Sequence, residues 1–318
     1  MRKLLLGTTA LAAAATLSAN VALADVTISG AMEFTYQSHD PGTTVSGASN
    51  DEFSSDQDIA IKFEQKTDTG LTIGMYQKLE TSGAGSAATG ASSDENYLYI
   101  KGGFGSVTLG SNDGAGDQLT RTAHDMLGVD ALNDGNGTGI NVKPGAGDLK
   151  DDNADLMDDI DDENNITYIL PKMGGLTLGA SYADKGDANN ENADQTSFGA
   201  KYAFESGAVK GSLHLGINTV SGANAGDAST DHSSMGLDVS SGPFRAVIAK
   251  AESDVTASVT TEVTDYGVQY NVGNGLTLTA VGTQIEENTG GETSDVVSLG
   301  AVSYTHLRAH ETGRNGGC

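Results

Sequence analysis

From residue 25 to residue 302 the sequence repeats one local pattern, short runs in which apolar and polar side chains alternate, punctuated by glycine-rich turns. Successive side chains of a strand point to opposite faces, so a period of two commits each run to a sheet with one apolar and one polar face. Val26, Ile28, Met32, Phe34 and Tyr36 share one parity, while Thr27, Ser29, Glu33 and Thr35 take the other. Ile59, Ile61 and Phe63 alternate with Lys62, Glu64 and Lys66. Beyond a turn at 68–70, Leu71, Ile73, Met75 and Leu79 alternate with Thr72, Gly74, Tyr76 and Lys78. Further turns at 102–105, 171–175, 205–207, 241–243 and 271–275 divide the chain into fourteen strands. Pro41, Pro144, Pro171 and Pro243 all fall between runs, where a missing amide donor costs little.

Residues 1–24 read as an export leader. Arg2 and Lys3 open it, residues 4–17 are apolar or small, and Ala22-Leu23-Ala24 fits a small-x-small cleavage site before Asp25. The apolar run is shorter than the roughly 20 residues a membrane helix needs, and no later stretch comes near that length. Hydrophobic residues make up 37% of the chain and mean hydropathy is −0.26, the figures of a soluble acidic protein. A barrel reconciles these figures with a membrane, because only every second strand residue must be apolar and the rest line a wet lumen. The expected fold is all-β, a transmembrane antiparallel up-and-down barrel. The one cysteine, Cys318, excludes a disulfide framework.

The chain carries 17 basic and 43 acidic residues, a net charge of −26, which argues against nucleic acid as a partner. Residues 111–163 concentrate this charge. Fourteen acids, among them Asp113, Asp117, Asp125, Asp130 and Asp134, stand there against Arg121, Lys143 and Lys150. Loops beyond about 12 to 15 residues are uncommon unless functional or disordered. Placed in a pore, such carboxylates concentrate cations, and bases facing them order water and orient dipolar solutes. The candidate wall bases are Lys62, Lys66 and Lys78 on the lumen parity, with Arg245 a weaker candidate because its strand alternates poorly. Residues 148–163 also fit a solvated external loop at the mouth. With no Trp, interfacial rings must be Tyr and Phe, and Phe34, Tyr36, Tyr97, Tyr99, Tyr168, Tyr182, Phe198, Tyr202, Phe204, Tyr266 and Tyr270 lie in or near strand ends.

The stretches DVTISGAMEFTY (25–36), DIAIKFEQKTDTGLTIGMYQKLET (58–81), ENYLYIKGGFGSVTLGSNDGAGD (95–117) and NNITYILPKMGGLTLGASY (164–182) resemble the trimeric general porins of Gram-negative outer membranes, of the alphaproteobacterial, Rhodobacter-like type. The resemblance implies a homotrimer in outer-membrane lipid and a sixteen-stranded barrel whose loop between strands five and six folds inward. It further implies passive diffusion of small hydrophilic solutes and cations, and no catalysis. Matched onto the family's loop, Asp117, Asp125 and Asp130 take the constriction carboxylates, Asp125 through the local Asp125-Met126-Leu127 match.

Two features depart from that family. The terminal aromatic strand is missing, so residues 25–302 are expected to form an incomplete barrel and 303–318, which lose alternation, a non-native tail. The basic cluster looks thin beside the family's arginines. The leading function is a cation-preferring outer-membrane channel. The competitor is an exported acidic β-rich surface or adhesion protein that binds calcium. Asp151, Asn153 and Asp155 have EF-hand spacing, but Leu156 replaces the required Gly, leaving loose calcium at Asp151, Asp155, Asp158 and Asp162 as the expectation. The two differ on the apolar strand face, which in a channel must be an unbroken lipid-facing band with charge confined to the lumen. No G-x-S-x-G, H-E-x-x-H or P-loop occurs.

Overall fold

The computed structural model describes residues 25–40, 51–80, 92–126, 164–184, 194–221, 229–255, 259–288 and 292–305. Within them the alternating runs become fourteen strands: β1 (Asp25–Asp40), β2 (Asp51–Lys66), β3 (Thr72–Glu80), β4 (Ser92–Gly102), β5 (Gly105–Ser111), β6 (Asn164–Ile169) and β7 (Leu176–Ala183), then β8 (Gln195–Ser206), β9 (Val209–Val220), β10 (Thr230–Ser241), β11 (Phe244–Val255), β12 (Val259–Gly273), β13 (Leu276–Glu287) and β14 (Glu292–Thr305). Each pairs antiparallel with its sequence neighbours, and β14 pairs with β1 to close the ring.

Closure removes both sheet edges, which would otherwise offer unpaired backbone groups to lipid. An even strand number lets the first and last strands run antiparallel, as the register Gly30↔Thr305 through Asp40↔Asp295 requires. Among the described residues the ring closes with fourteen strands, where the resemblance implies sixteen. Fourteen are enough to satisfy every edge. The expected boundary at residue 302 also moves, because Ser303, Tyr304 and Thr305 continue β14 and pair with Met32, Ala31 and Gly30. Residues 306–318 lie outside the described residues.

Tight turns gather at one end of the barrel. Between β8 and β9 only Gly207 and Ala208 intervene, and between β10 and β11 only Gly242 and Pro243. Gly207 (φ 61°) and Gly242 (φ 58°) take the positive φ that the first position of a type II′ hairpin demands and that β-carbon sterics discourage.

The parity of each strand survives in three dimensions. Ile166 is 55% exposed and its neighbour Thr167 fully buried; Phe198 is 56% exposed beside a buried Ser197. Apolar side chains thus face outward, toward lipid in a membrane barrel, and polar ones face the lumen. Tyr168, Tyr182, Phe198, Tyr202, Tyr266 and Tyr270 lie on the outer face as expected. Tyr97 and Tyr99 do not. Leu98 and Ile100 occupy the outward row of β4, so the two tyrosines must point inward. The side chains of Phe34 and Tyr36 lie outside the described residues.

Charge is not confined to the lumen either. Lys250 of β11 and Glu262 of β12 sit on the outward rows of Ile248 and Tyr266, ion-paired at 2.8 Å. The inner rows beneath them hold apolar side chains as well, with Val247, Ala249, Ala251 and Val263 all buried. Pairing lowers the cost of such charges next to lipid.

Candidate functional site

After β5 the chain turns into the lumen. Asn112 and Asp113 lead to a short helix α1 (Ala115–Leu119), an extended stretch, and a single 3-10 turn at His124–Met126. A segment so short cannot hold itself in place. The barrel wall holds it instead, through polar side chains that only the inward parity could supply.

Asn165 of β6 donates its side-chain amide to the Asn112 carbonyl. The Ala115 N–H donates to Ser181 Oγ at 2.7 Å and the Gly116 N–H to Ser197 Oγ at 2.6 Å, anchoring the start of α1 to β7 and β8. Farther round, the Arg121 N–H donates to His214 Nδ1 of β9 at 3.3 Å, and the Ala123 N–H to Asp265 Oδ2 of β12 at 2.6 Å. The Met126 carbonyl accepts from Gln269 Nε2 (3.0 Å) and Thr279 Oγ1 (3.3 Å). The loop is thus laid along the inner wall from β6 to β13.

Glycines make the room for it. A β-carbon at Gly199 would run into the Ala115 carbonyl, and one at Gly267 into the Met126 side chain. Ala123 and Met126 fill the remaining space against Val247 and Val281, an apolar cluster inside the barrel. This contact explains the apolar side chains of Val247 and Val281 on the inner rows of β11 and β13, which face the loop rather than water.

The charges fall in two places. Beside the loop, Arg121 Nη1 lies 3.8 Å from Asp125 Oδ2, which also accepts the Thr122 N–H at 2.6 Å. Burial raises the Asp125 carboxyl above its ordinary value of 3.8, opposed by Arg121 and the Thr122 hydrogen bonds. Arg245 forms a two-pronged pair with Asp238, Nε to Oδ1 at 3.1 Å and Nη2 to Oδ2 at 2.7 Å. Lys201 of β8 is within electrostatic reach of Arg121, Asp238 and Arg245. The wall β1–β4, which the described part of the loop leaves uncovered, carries a second group. Lys62 Nζ is 2.6 Å from Glu64 Oε2, and Lys78 Nζ is 3.5 Å from Asp58 Oδ2.

Of the residues expected at the site, Asp113, Asp117 and Asp125 lie on the inward-folded segment and are half-buried. Asp130, Asp134, Asp151, Asp155, Asp158 and Asp162 lie outside the described residues. Lys62 and Lys78 stand on the lumen face, each engaged with a carboxylate, while Lys66 ends β2 beside the 67–71 turn and away from the loop. Beside the expected bases, the structure brings Arg121 of the loop together with Lys201 and Arg245 of the wall. Lys201 stands on the inward parity of β8, and Arg245 on an inner row of β11 whose apolar neighbours blur the alternation.

The comparisons with known proteins agree with this architecture. The Gram-negative porin family matches residues 7–305. No curated protein sequence matches the chain. Among solved structures, one mutant of the Rh. blastica porin is similar with a TM-score of 0.53 and 15% identity, covering 88% of this chain and 100% of that one. A second Rh. blastica porin mutant gives 0.54 at 15% identity over the same shares. A triple mutant described as Rhodopseudomonas blastica porin gives 0.52 at 16%, again over 88% of this chain and 100% of that one. At such identities the likeness speaks for the fold, and the match along nearly the whole sequence speaks for descent: the chain belongs to the Gram-negative porin family.

Proposed function

We propose that this outer-membrane porin is a passive, cation-preferring diffusion channel for small hydrophilic solutes and ions, exported by the leader 1–24 and assembled as a homotrimer. The observation that carries the channel reading is the loop itself, hydrogen-bonded across the inner wall from Asn165 to Thr279. A chain that spent its lumen-facing serines, Asp265 and His214 on holding a loop indoors has narrowed a water path rather than displayed a surface. Solutes pass between that loop and the wall β1–β4, which the described loop residues leave uncovered.

Cation preference is supported by the charge balance. Residues 111–163 hold fourteen acids against three bases, and the whole chain stands at −26. In a narrow wet passage with low-dielectric walls, such an excess raises the local concentration of cations. Arg121, Lys201 and Arg245 oppose it locally and set a transverse field. Loose calcium at Asp151, Asp155, Asp158 and Asp162 belongs to the same proposal, since carboxylate oxygens suit a hard cation.

Planar-bilayer conductance of the refolded chain, with the reversal potential taken across a KCl gradient, tests the reading. Discrete steps with a cation-selective reversal potential are expected, shifted toward neutrality by added calcium. Anion selectivity would overturn the preference, and a folded barrel that never conducts would overturn the channel.

A further inference from the structure

On the wall β1–β4, which the described loop residues leave uncovered, the lumen face carries a row of aromatic rings. Tyr76 of β3 and Tyr97 of β4 are direct cross-strand partners, their ring centroids 5.2 Å apart and their planes 28° from parallel. Tyr97 is in turn tilted against Tyr99, with centroids 6.3 Å apart. Both β4 tyrosines face inward because Leu98 and Ile100 face out.

The two ends of the row are built differently. Tyr99 is a fixed end, only 2% exposed. It lies flat across Gly74, where any β-carbon would strike its ring, and its hydroxyl donates to Glu64 Oε2 at 2.7 Å. Lys62 binds the same carboxylate, and the Lys101 ammonium sits 4.4 Å from the Tyr99 ring centroid. Tyr76 and Tyr97 remain only half-buried. Tyr97's partner on β5 is Gly110, where a β-carbon would press on the Tyr97 backbone, so no side chain rises beside the ring on that flank.

Resting on the reading of the lumen as a solute path, we propose that Tyr76 and Tyr97 form a stacking subsite for neutral, hydroxyl-rich ring solutes, that is, sugars. Rings packed in the lumen give apolar area without closing the wall, and an aromatic face is complementary to the C–H face of a saturated ring. The surrounding charges select for neutrality. Lys62, Lys101 and Lys78 flank the row, which disfavours organic cations; Glu64, Glu95 and Asp113 lie around the same rings, which disfavours anions. Hydroxyl groups can donate to the carboxylates and accept from the ammonium groups, so a sugar is the solute class that uses both.

The test exploits the absence of Trp from the chain. Tyr97→Trp places one indole in the row, and its fluorescence in the detergent-folded protein is titrated with maltotriose while wild-type conductance is titrated in parallel. A saturable fluorescence change and a saturable fall in conductance at matching concentrations are expected. Adding Tyr76→Ala to the reporter should weaken both by roughly threefold to tenfold, whereas Tyr76→Phe should leave them within error. Heat-modifiable gel migration shows that each variant is a folded barrel, and Tyr76→Leu replaces Tyr76→Ala if that variant does not fold. A non-saturating change, or saturation indifferent to loss of the Tyr76 ring, overturns the subsite. Saturation by choline chloride but not by maltotriose overturns the sugar assignment. Saturable fluorescence in a protein that never conducts would remove the channel reading and leave the binding site standing; steady conductance without saturation would do the reverse.

Discussion

The Ala123 amide donates to Asp265 Oδ2 at 2.6 Å, a bond between residues 142 positions apart that ties the inward loop to the far side of the barrel. Asp265 is 2% exposed and sits between Val263 and Gly267 on the inner row of β12. Replacing it with alanine leaves a buried N–H without its acceptor, at a cost of about 1–3 kcal/mol to the docked loop. Asp265→Ala is expected to raise single-channel conductance and open-channel noise, and Asp265→Asn, which keeps an acceptor oxygen, to do so less. Equal conductance in all three proteins would mean the loop is held without this bond.

Gly199 tests the same docking by volume rather than by hydrogen bonding. A β-carbon there meets the Ala115 carbonyl and the Leu119 side chain. Gly199→Val should therefore lift α1 from the wall while the β8–β9 ladder persists. Trypsin should then cut after Arg121 in the folded variant and not in the parent. Protection at Arg121 in a folded Gly199→Val barrel would refute this account of the glycine.

The barrel was legible in the sequence because lipid and lumen impose opposite demands on successive residues, and the alternation of Ile166, Thr167 and Tyr168 records both. The fourteen strands were legible in the same alternation, but their closure was not, since it depends on whether β14 finds β1, a pairing between distant parts of the sequence. The inward loop could be placed from its position after β5. Its anchors could not, because Ser181, Ser197, His214 and Asp265 look like ordinary lumen residues until the loop is laid on them. Where the loop covers the wall, the lumen face turns apolar at Val247 and Val281, and there period two misleads: the charge of Arg245 was discounted for the very reason that its strand packs beneath Met126.

Closure itself is open to test. β14 contributes the register with β13 and the register with β1, so without it both neighbours become exposed edges at membrane depth. A chain ending at Thr305 should fold to the same heat-modifiable, SDS-resistant barrel as the parent. A chain ending at residue 291 should not. Two barrels of equal stability would show that β14 is dispensable.

The cations beside the loop should subtract from cation preference. Lys201→Gln and Arg245→Gln each remove one positive charge from the lumen face, and the second also leaves Asp238 without its two-pronged partner. One unit charge at about 8 Å in a water-filled passage alters the relative cation and anion permeability by about twofold. Both variants are expected to move the reversal potential further toward the cation limit, Arg245→Gln by more. A shift toward anions in either would sink the assignment.

Asp125 gives the selectivity a pH dependence whose sign can be worked out. Its carboxyl is raised above 3.8 chiefly by burial at the loop, although a quarter of its side-chain surface stays exposed. An acid with a raised value holds its proton more tightly in the docked loop than in a released one. Protonation therefore favours docking at low pH, and that contribution is lost as pH climbs from 3.8 through the raised value. Above it, the charged carboxylate costs docking but adds a negative charge to the passage. Acidifying through this window should lower cation preference while quieting loop noise. Asp125→Asn, neutral at every pH and still able to accept the Thr122 N–H, should show both low-pH behaviours throughout and lose the step from its reversal-potential titration. If the step survives unchanged in Asp125→Asn, another carboxylate carries it.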